Sequence, residues 1–207
     1  MYPYYPIMIN LQEKKVVVVG GGKVAERKVL HLIESHADVT VVSPNMTKTL
    51  RVMSEQHQIT WLRKYFEEDD LRDAVLVFAA TNDSEINEKV RKSAQPQQFV
   101  NVVDQPKKSD FHVPSMVRKG RLNIAISTTG ASPILAKIIK KDLESKYGEE
   151  YEEYLDFLYE ARQQIILEVK DSAMKRQLLS AIASPEFLES DQRNERLRQL
   201  LNHELEK

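Results

Sequence analysis

Three consecutive glycines near the start of the chain have the spacing of a phosphate-binding turn. They follow the apolar run Val16 to Val19 and open the segment Gly20-Gly21-Gly22-Lys23-Val24-Ala25. This segment satisfies the pattern G-x-G-x-x-G/A. In that pattern the first glycine permits a tight turn, the second lets backbone approach a pyrophosphate, and a small third residue lets a helix pack on a strand. Phosphates then bind unpaired N–H groups at the start of the helix. The segment predicts a dinucleotide site that includes the residues from Gly20 to Val24.

The ribose end of such a cofactor is marked less clearly. An NAD-binding sequence usually carries an acidic residue about 20 positions further on, at the end of the second strand. The second predicted strand here ends just before Ser43 and Pro44, without an acid. A hydroxyl and backbone groups of these two residues are the predicted contacts. The basic residues Lys23, Arg27 and Lys48 suggest a 2′-phosphate instead, so the residues alone leave NAD and NADP open.

Two later strand ends are predicted at the same crevice, because ligands bind beyond the carboxyl ends of parallel strands. Thr81 and Asn82 follow the fourth predicted strand and would border the nicotinamide half. Asp104 follows the fifth predicted strand. It is either a carboxylate in the crevice or an ordinary turn residue ahead of Pro106, and spacing leaves both open.

Composition and charge exclude several other kinds of site. The formal net charge of −1 indicates neither nucleic acid nor a membrane surface as partner. Cysteine is absent, which excludes disulfides, thiolate catalysis and zinc held by sulfur. None of the eight tyrosines has a lysine four residues later, so the Tyr-x-x-x-Lys proton donor of short-chain dehydrogenases is missing. His31 and His36 would point away from each other on a helix, and no metal site is predicted.

The chain shows neither a signal-peptide pattern nor an apolar run of the ~20 residues that a membrane span needs. These observations predict a soluble cytoplasmic protein without a membrane partner. Its hydrophobic content of 42% and its 207 residues are sufficient for a buried core.

The elements that would position these residues alternate between strand and helix as far as residue 113. Predicted strands are Val16 to Val19, Val39 to Val42, Ile59 to Leu62, Val75 to Ala80 and Phe99 to Val103. Helices are predicted at Val24 to Glu34, at Lys48 to His57, and from Ser84, as its cap, to about Ala94. This alternation predicts an α/β fold with a Rossmann-type parallel sheet in a domain of residues 1–113.

The pattern changes after this domain. Val113 to Val117, a turn at Arg118-Lys119-Gly120 and Leu122 to Ser127 predict an antiparallel hairpin. Ser132-Pro133 then predicts a helix start, with serine as the cap and proline at the first helical position. Residues 114–147 form this small region, and residues 148–207 are predicted to be an all-helical domain whose last helix opens at Ser184-Pro185.

Five motifs occur in an order that resembles one known family. They are Val18 to Lys28, Val41-Val42-Ser43-Pro44, Ala79-Ala80-Thr81-Asn82-Asp83, Asn101-Val102-Val103-Asp104, and Ile124 to Thr128 followed by Ser132-Pro133. Together they resemble the siroheme-synthase N-terminal family, the precorrin-2 dehydrogenases. The motifs span roughly the first 145 residues, and the C-terminal helices match only in character.

The resemblance implies a homodimer with an NAD-binding Rossmann domain, a dimerisation region and a helical C-terminal domain. It implies NAD-dependent oxidation of precorrin-2 to sirohydrochlorin in siroheme synthesis. The essential aspartate of the family falls on Asp104, where a carboxylate could take the departing proton. Thr128 stands where some relatives carry a functional serine, and Thr129-Gly130 stands where many have two glycines. Substrate contacts are predicted at four residues near the end of the Rossmann domain and after it: His112, Arg118, Ser127 and Thr128.

Two other functions stay open at this point. Similar proteins can also insert iron, so a combined dehydrogenase and sirohydrochlorin ferrochelatase is one alternative. A non-catalytic NAD-sensing module is the other, because Rossmann domains also serve as regulatory domains of transporters. Such a module would not need Asp104.

Overall fold

The structure is a computed structural model that describes residues 4–205, with side chains as far as residue 202. It divides into two units, with the boundary between Val113 and Pro114. The strands of the first unit are β1 (Lys15–Val19), β2 (Asp38–Val42), β3 (Thr60–Leu62), β4 (Leu76–Ala79) and β5 (Phe99–Val102). Its α-helices are α1 (Lys23–Ile33), α2 (Lys48–Glu55) and α3 (Ser84–Ser93). Each predicted strand and helix of this unit is present, with ends that differ by one or two residues.

The first unit contains one parallel sheet with the strand order β3-β2-β1-β4-β5. Val19 pairs with Val42 on one side and with Ala79 on the other. Ala79 in turn pairs with Val102. Four strands therefore end level with one another, and the residues that follow them emerge at one edge. The predicted Rossmann-type fold is confirmed.

The valine run of β1 lies at the centre of this sheet, because alternate side chains enter different cores. Val16 and Val18 pack with α1 and α2 on one face, while Val17 and Val19 pack with α3 on the other. All four are at most 2% exposed. A strand covered on both faces needs apolar residues at every position, which explains the uninterrupted run.

The start of α3 differs from the prediction by one residue. The cap is Asp83 and not Ser84, because the Asp83 carboxylate oxygen Oδ1 accepts hydrogen bonds from the backbone N–H groups of Glu85 and Ile86 at 2.9 and 3.3 Å. Ser84 is the first helical residue, where its hydroxyl cannot perform this role.

The second unit begins with an antiparallel hairpin of β6 (Ser115–Lys119) and β7 (Leu122–Ile126). Lys119 pairs with Leu122, so the turn consists of Gly120 and Arg121. The predicted turn at Arg118-Lys119-Gly120 is therefore wrong in its first two residues. Gly120 has a positive φ of 51°, a conformation that glycine adopts without strain and that defines the two-residue turn.

The hairpin is followed by α4 (Pro133–Lys146), whose predicted start is confirmed. The Ser132 hydroxyl accepts a hydrogen bond from the backbone N–H of Leu135 at 3.1 Å, and Pro133 is the first helical residue. The remaining helices are α5 (Glu150–Glu168), α6 (Ser172–Ile182), α7 (Pro185–Leu188) and α8 (Arg193–Leu205).

The last predicted helix is divided in two. Ser184-Pro185 opens only the short α7, and the guanidinium of Arg193 donates to the backbone carbonyls of Phe187 and Leu188 at 2.9 and 2.6 Å. A side chain thus satisfies carbonyls that a continuous helix would have paired internally. Within residues 4–205, no helix is both long and apolar enough to cross a membrane.

Candidate cofactor and catalytic site

Two of the three glycines are required by packing. Gly20 has a φ of 123°, and a Cβ atom there would lie 2.4 Å from the carbonyl oxygen of Ala80, at the end of β4. A Cβ atom on Gly21 would lie 2.1 Å from the carbonyl oxygen of Asn45, in the loop after β2. Both glycines are buried. The turn is therefore wedged between the ends of the two strands that flank β1.

The third glycine faces open space. A Cβ atom on Gly22 would have no other atom within 4 Å, and the residue is exposed. Gly22 is the N-cap of α1 and provides no side-chain hydrogen bond to the first turn. The first N–H groups of a helix lack intrahelical partners. Ala25 is 0% exposed, as the third position of the pattern requires. These residues fit the pyrophosphate of a dinucleotide.

The cation beside this turn already has a partner. Lys23 Nζ lies 2.9 Å from Glu26 Oε1, one turn along α1. Hydrogen bonds from Thr47 and from Lys23 hold the pKa of the Glu26 carboxyl below its ordinary value. A carboxylate therefore stands among the basic residues that suggested a 2′-phosphate.

Ser43 is buried at the end of β2 and its hydroxyl donates to the carbonyl of Asn45 at 2.7 Å. The carbonyl of Ser43 accepts a hydrogen bond from Trp61 Nε1 at 2.8 Å. These two hydrogen bonds of Ser43 stabilise the loop that contacts Gly21. Its neighbour Pro44 is half-buried at the same edge.

A buried amide joins the ends of β4 and β5. Asn87 of α3 is 0% exposed, and its Nδ2 donates to Asp104 Oδ1 at 2.9 Å and to the Thr81 carbonyl at 3.1 Å. Asn87 Oδ1 accepts from the Thr81 N–H at 3.1 Å and lies 2.8 Å from the Thr81 hydroxyl. Asp104 is itself exposed, and so is Asn82 beside Thr81. The structure thus brings Thr81 and Asp104 together.

The loop that carries Asp104 is closed by contacts back to β5. The Ser109 hydroxyl accepts from the N–H of Val102 at 2.9 Å, and Asp110 Oδ2 accepts from the N–H of Val100 at 2.8 Å. The Asn101 amide donates to the Phe111 carbonyl at 2.9 Å. β5 is the outermost strand on this side of the sheet, and these contacts occupy the side of β5 where a further strand would pair. They hold the loop at both ends.

His112 is half-buried near the end of the first unit. Its Nε2 lies 2.6 Å from the hydroxyl of Tyr4, and the two rings meet edge to face at 4.5 Å. This contact orients the imidazole and places the start of the described chain beside it.

The other predicted substrate contacts belong to the second unit. The Thr128 hydroxyl donates to the Ser132 carbonyl at 3.0 Å and accepts from the Ser132 N–H at 3.1 Å. The Ser127 hydroxyl accepts from the N–H of Thr129 at 3.1 Å, so both hydroxyls build the loop before α4. Arg118 is an exposed strand residue of β6.

No group of three or more potential metal-ligating side chains occurs in the described part of the chain. Asn87 is not among the residues predicted for the site, although the sequence carries a signal for it. Asn87 lies on the buried stripe of α3 with Ile86 and Val90. A polar residue on an apolar face needs a partner, and such a position indicates a specific contact.

The fold and the glycine turn define a dinucleotide-binding α/β protein of the Rossmann type. A family model described as NAD(P)-binding matches residues 7–115. A model described as sirohaem biosynthesis protein central matches residues 119–146, and the SirC C-terminal domain matches residues 151–203.

Curated relatives identify the family within this class of dinucleotide-binding proteins. The chain is 35% identical over 183 residues to the precorrin-2 dehydrogenase of Priestia megaterium, covering 88% of this chain and 91% of the relative. It is 32% identical over 157 residues to the precorrin-2 dehydrogenase of Bacillus subtilis (strain 168), covering 76% and 97%. The solved structure of SirC, precorrin-2 dehydrogenase, matches with a TM-score of 0.83 at 33% identity and covers 99% of this chain and 100% of its own. The chain belongs to the precorrin-2 dehydrogenase family.

Proposed function

We propose that this chain oxidises precorrin-2 to sirohydrochlorin with NAD as the hydride acceptor. The observation that carries the proposal is the position of Asp104. Its carboxylate lies at the sheet edge where the glycine turn emerges, and Asn87 holds it there. The relatives named precorrin-2 dehydrogenase support the substrate.

The oxidation removes two hydrogens, one as a hydride and one as a proton. NAD accepts the hydride when bound. Asp104 would take the proton on Oδ2, because Oδ1 already accepts the hydrogen bond from Asn87. A carboxylate at the mouth of the crevice is suited to this transfer, since it is exposed and can pass the proton on to water.

The proposed cofactor contacts follow the strand ends. The residues from Gly20 to Val24 would hold the pyrophosphate, and Ser43 with Pro44 the adenosine ribose. Thr81 and Asn82 would border the nicotinamide. The pairing of Lys23 with Glu26 supports NAD over NADP, because Glu26 already neutralises a lysine that a 2′-phosphate would need.

Each of three regions has a proposed role: residues 1–113 bind NAD, residues 114–147 dimerise, and residues 148–207 form the helical domain. His112, Arg118, Ser127 and Thr128 are the proposed contacts of a substrate that carries many carboxylates. Imidazole, guanidinium and hydroxyl groups are suitable donors for such a substrate.

A homodimer would be built on α4. Ile134, Leu135 and Ile138 are 73%, 47% and 53% exposed, although they lie within two turns of one helix. An apolar patch of this kind on a short helix marks an interaction surface. A second copy of the chain is the proposed occupant, in agreement with the family resemblance.

The test compares Asp104→Ala with wild type in two assays, NAD binding and oxidation of precorrin-2. Retained NAD affinity with oxidation reduced about 10²- to 10⁴-fold is expected when a proton acceptor is lost. Asp38→Ala is the matched control, because this exposed aspartate begins β2 at the opposite edge of the sheet. Unchanged turnover in Asp104→Ala would refute the role of Asp104. A wild-type protein that binds NAD but oxidises nothing would be a sensor.

A further inference from the structure

The amide of Asn87 makes its hydrogen bonds with two residues, Thr81 and Asp104. Its oxygen faces the N–H and the hydroxyl of Thr81, at 3.1 and 2.8 Å. Its nitrogen faces the carbonyl of Thr81 and Asp104 Oδ1, at 3.1 and 2.9 Å. The single proton of the Thr81 hydroxyl is shared between Asn87 Oδ1 and the Asp83 carbonyl, which lies 2.9 Å away. A buried amide with both donors and at least one acceptor position satisfied is held rigidly.

The orientation of this amide follows from the backbone of Thr81. The N–H of Thr81 can only donate, so it must face the oxygen of Asn87. The carbonyl of Thr81 can only accept, so it must face the nitrogen. A flipped amide would lose both bonds, and the second N–H of Asn87 is therefore directed at Asp104.

We propose that Asn87 is the positioning residue of Asp104, holding Oδ1 so that Oδ2 is the atom that takes the substrate proton. This inference rests on the proposed function, in which Asp104 is the proton acceptor. Asn87 also joins Asp104 to Thr81, the proposed neighbour of the nicotinamide. One buried amide thereby sets the distance between the cofactor side and the base side of the site.

The hydrogen bond from Asn87 also has an electrostatic effect on the Asp104 carboxylate. A hydrogen bond donated to a carboxylate stabilises its ionised form, which is the form that accepts a proton. Asp104 is exposed and comes from a loop, so without the bond its side chain would be free to turn towards solvent. A purely structural asparagine would affect stability but not the pH at which the site works.

The test is Asn87→Asp, which keeps the shape of the side chain. The oxygen facing the Thr81 N–H is retained, while the donor to Asp104 becomes a second carboxylate oxygen. The two carboxylates then titrate as a coupled pair, and the repulsion between them opposes the state in which both are ionised. We expect the acid limb of the pH–kcat profile for precorrin-2 oxidation to move to higher pH. At a pH between the wild-type limb and the new limb, kcat of the variant should be about 10- to 100-fold lower than that of wild type, which is part of what a proton acceptor supplies. The KM for NAD should change less.

Asn101→Asp is the matched control. Asn101 of β5 is also a buried asparagine, at 7% exposed, and its amide donates to the Phe111 carbonyl at 2.9 Å. The same chemical change there also removes one buried donor, and it should lower the melting temperature without moving the acid limb. If Asn87→Asp does not fold, Asn87→Ser removes the donor without adding charge and should move the limb in the same direction.

The outcomes separate this inference from the proposed function. An inactive Asp104→Ala together with a wild-type pH limb in Asn87→Asp, or in Asn87→Ser where only that folds, overturns the positioning role alone. An active Asp104→Ala overturns the role of Asp104 as proton acceptor and this inference with it, whereas a wild-type protein that oxidises no precorrin-2 overturns the proposed function. The double variant Asn87→Asp/Asp104→Asn restores a donor and an acceptor in exchanged positions. It should regain part of the melting temperature lost in Asn87→Asp, and no recovery would contradict the contact.

Discussion

Replacing Gly22 by alanine adds one methyl group to the face of the turn that the pyrophosphate would approach. A Cβ atom at this position has no other atom within 4 Å, and the φ of −84° is open to alanine. The free protein should therefore fold normally. Its free energy of unfolding should change by less than ~1 kcal/mol, since the lost flexibility of the unfolded chain favours alanine.

NAD affinity should fall because the methyl group keeps phosphate oxygens away from the N–H groups at the start of α1. A hydrogen bond to a charged group contributes about 1.5–3 kcal/mol. Loss or stretching of one such bond raises the Kd for NAD by about 10- to 100-fold. Fluorescence or calorimetric titration with NAD measures this loss, and thermal unfolding measures the fold.

Gly21→Ala is the comparison that separates folding from binding. Its Cβ atom would lie 2.1 Å from the carbonyl oxygen of Asn45, which is backbone and cannot turn aside. Overpacking of this severity costs about 3 kcal/mol or more, which corresponds to a fall of about 6–12 °C in melting temperature. A Gly22→Ala protein that binds NAD as tightly as wild type would refute the placement of the pyrophosphate. A Gly21→Ala protein that melts like wild type would refute the packing argument.

Two further predictions concern an ion-pair cluster and the proposed dimer. Glu88 bonds Arg91 at 3.0 Å and Lys108 at 2.9 Å, which lowers its pKa from 4.5 to about 2. Its contribution to stability is thus complete above pH 4.5 and is lost as the pH falls towards 2. The free energy of unfolding in urea should therefore depend less on pH in Glu88→Gln than in wild type across that range. Parallel plots of this free energy against pH for the two proteins would contradict the prediction. Ile138→Glu should shift the sedimentation coefficient from dimer to monomer, because it buries a charge in the proposed interface, and an unchanged coefficient would exclude this face of α4.

The parts of the site that lie on the sheet edge could be predicted because their signals are local. The glycine turn follows a run of four valines that only a doubly covered strand explains, and the polar residues Thr81 and Asp104 each follow another apolar run. Parallel strands then require these ends to meet at one edge. The helix start at Ser132-Pro133 is equally local, because a cap and its first turn are neighbours in sequence.

Other features could not be predicted. In some cases the partner is distant in the chain, and in others two neighbouring residues are equally suited to the same role. The place of Asn87 on an apolar stripe indicates a contact, but the partner could not be predicted because Asp104 lies seventeen residues further on. Asp83 and Ser84 are both good caps, and only the backbone geometry selects the aspartate. Arg193 ends α7 through carbonyls that a continuous helix would have used itself.

The sheet register explains why the cofactor turn and the proposed base occur together. Val19, Ala79 and Val102 pair across three neighbouring strands. Gly21, Thr81 and Asp104 each lie two residues beyond their paired residue, so all three leave the sheet at the same level. A slip of one residue between β4 and β5 would send the side chains of β5 to the opposite faces and break the bond from Asn87. The buried contacts of Val100 and Val102 oppose that slip, and they thereby keep Asp104 beside the nucleotide site.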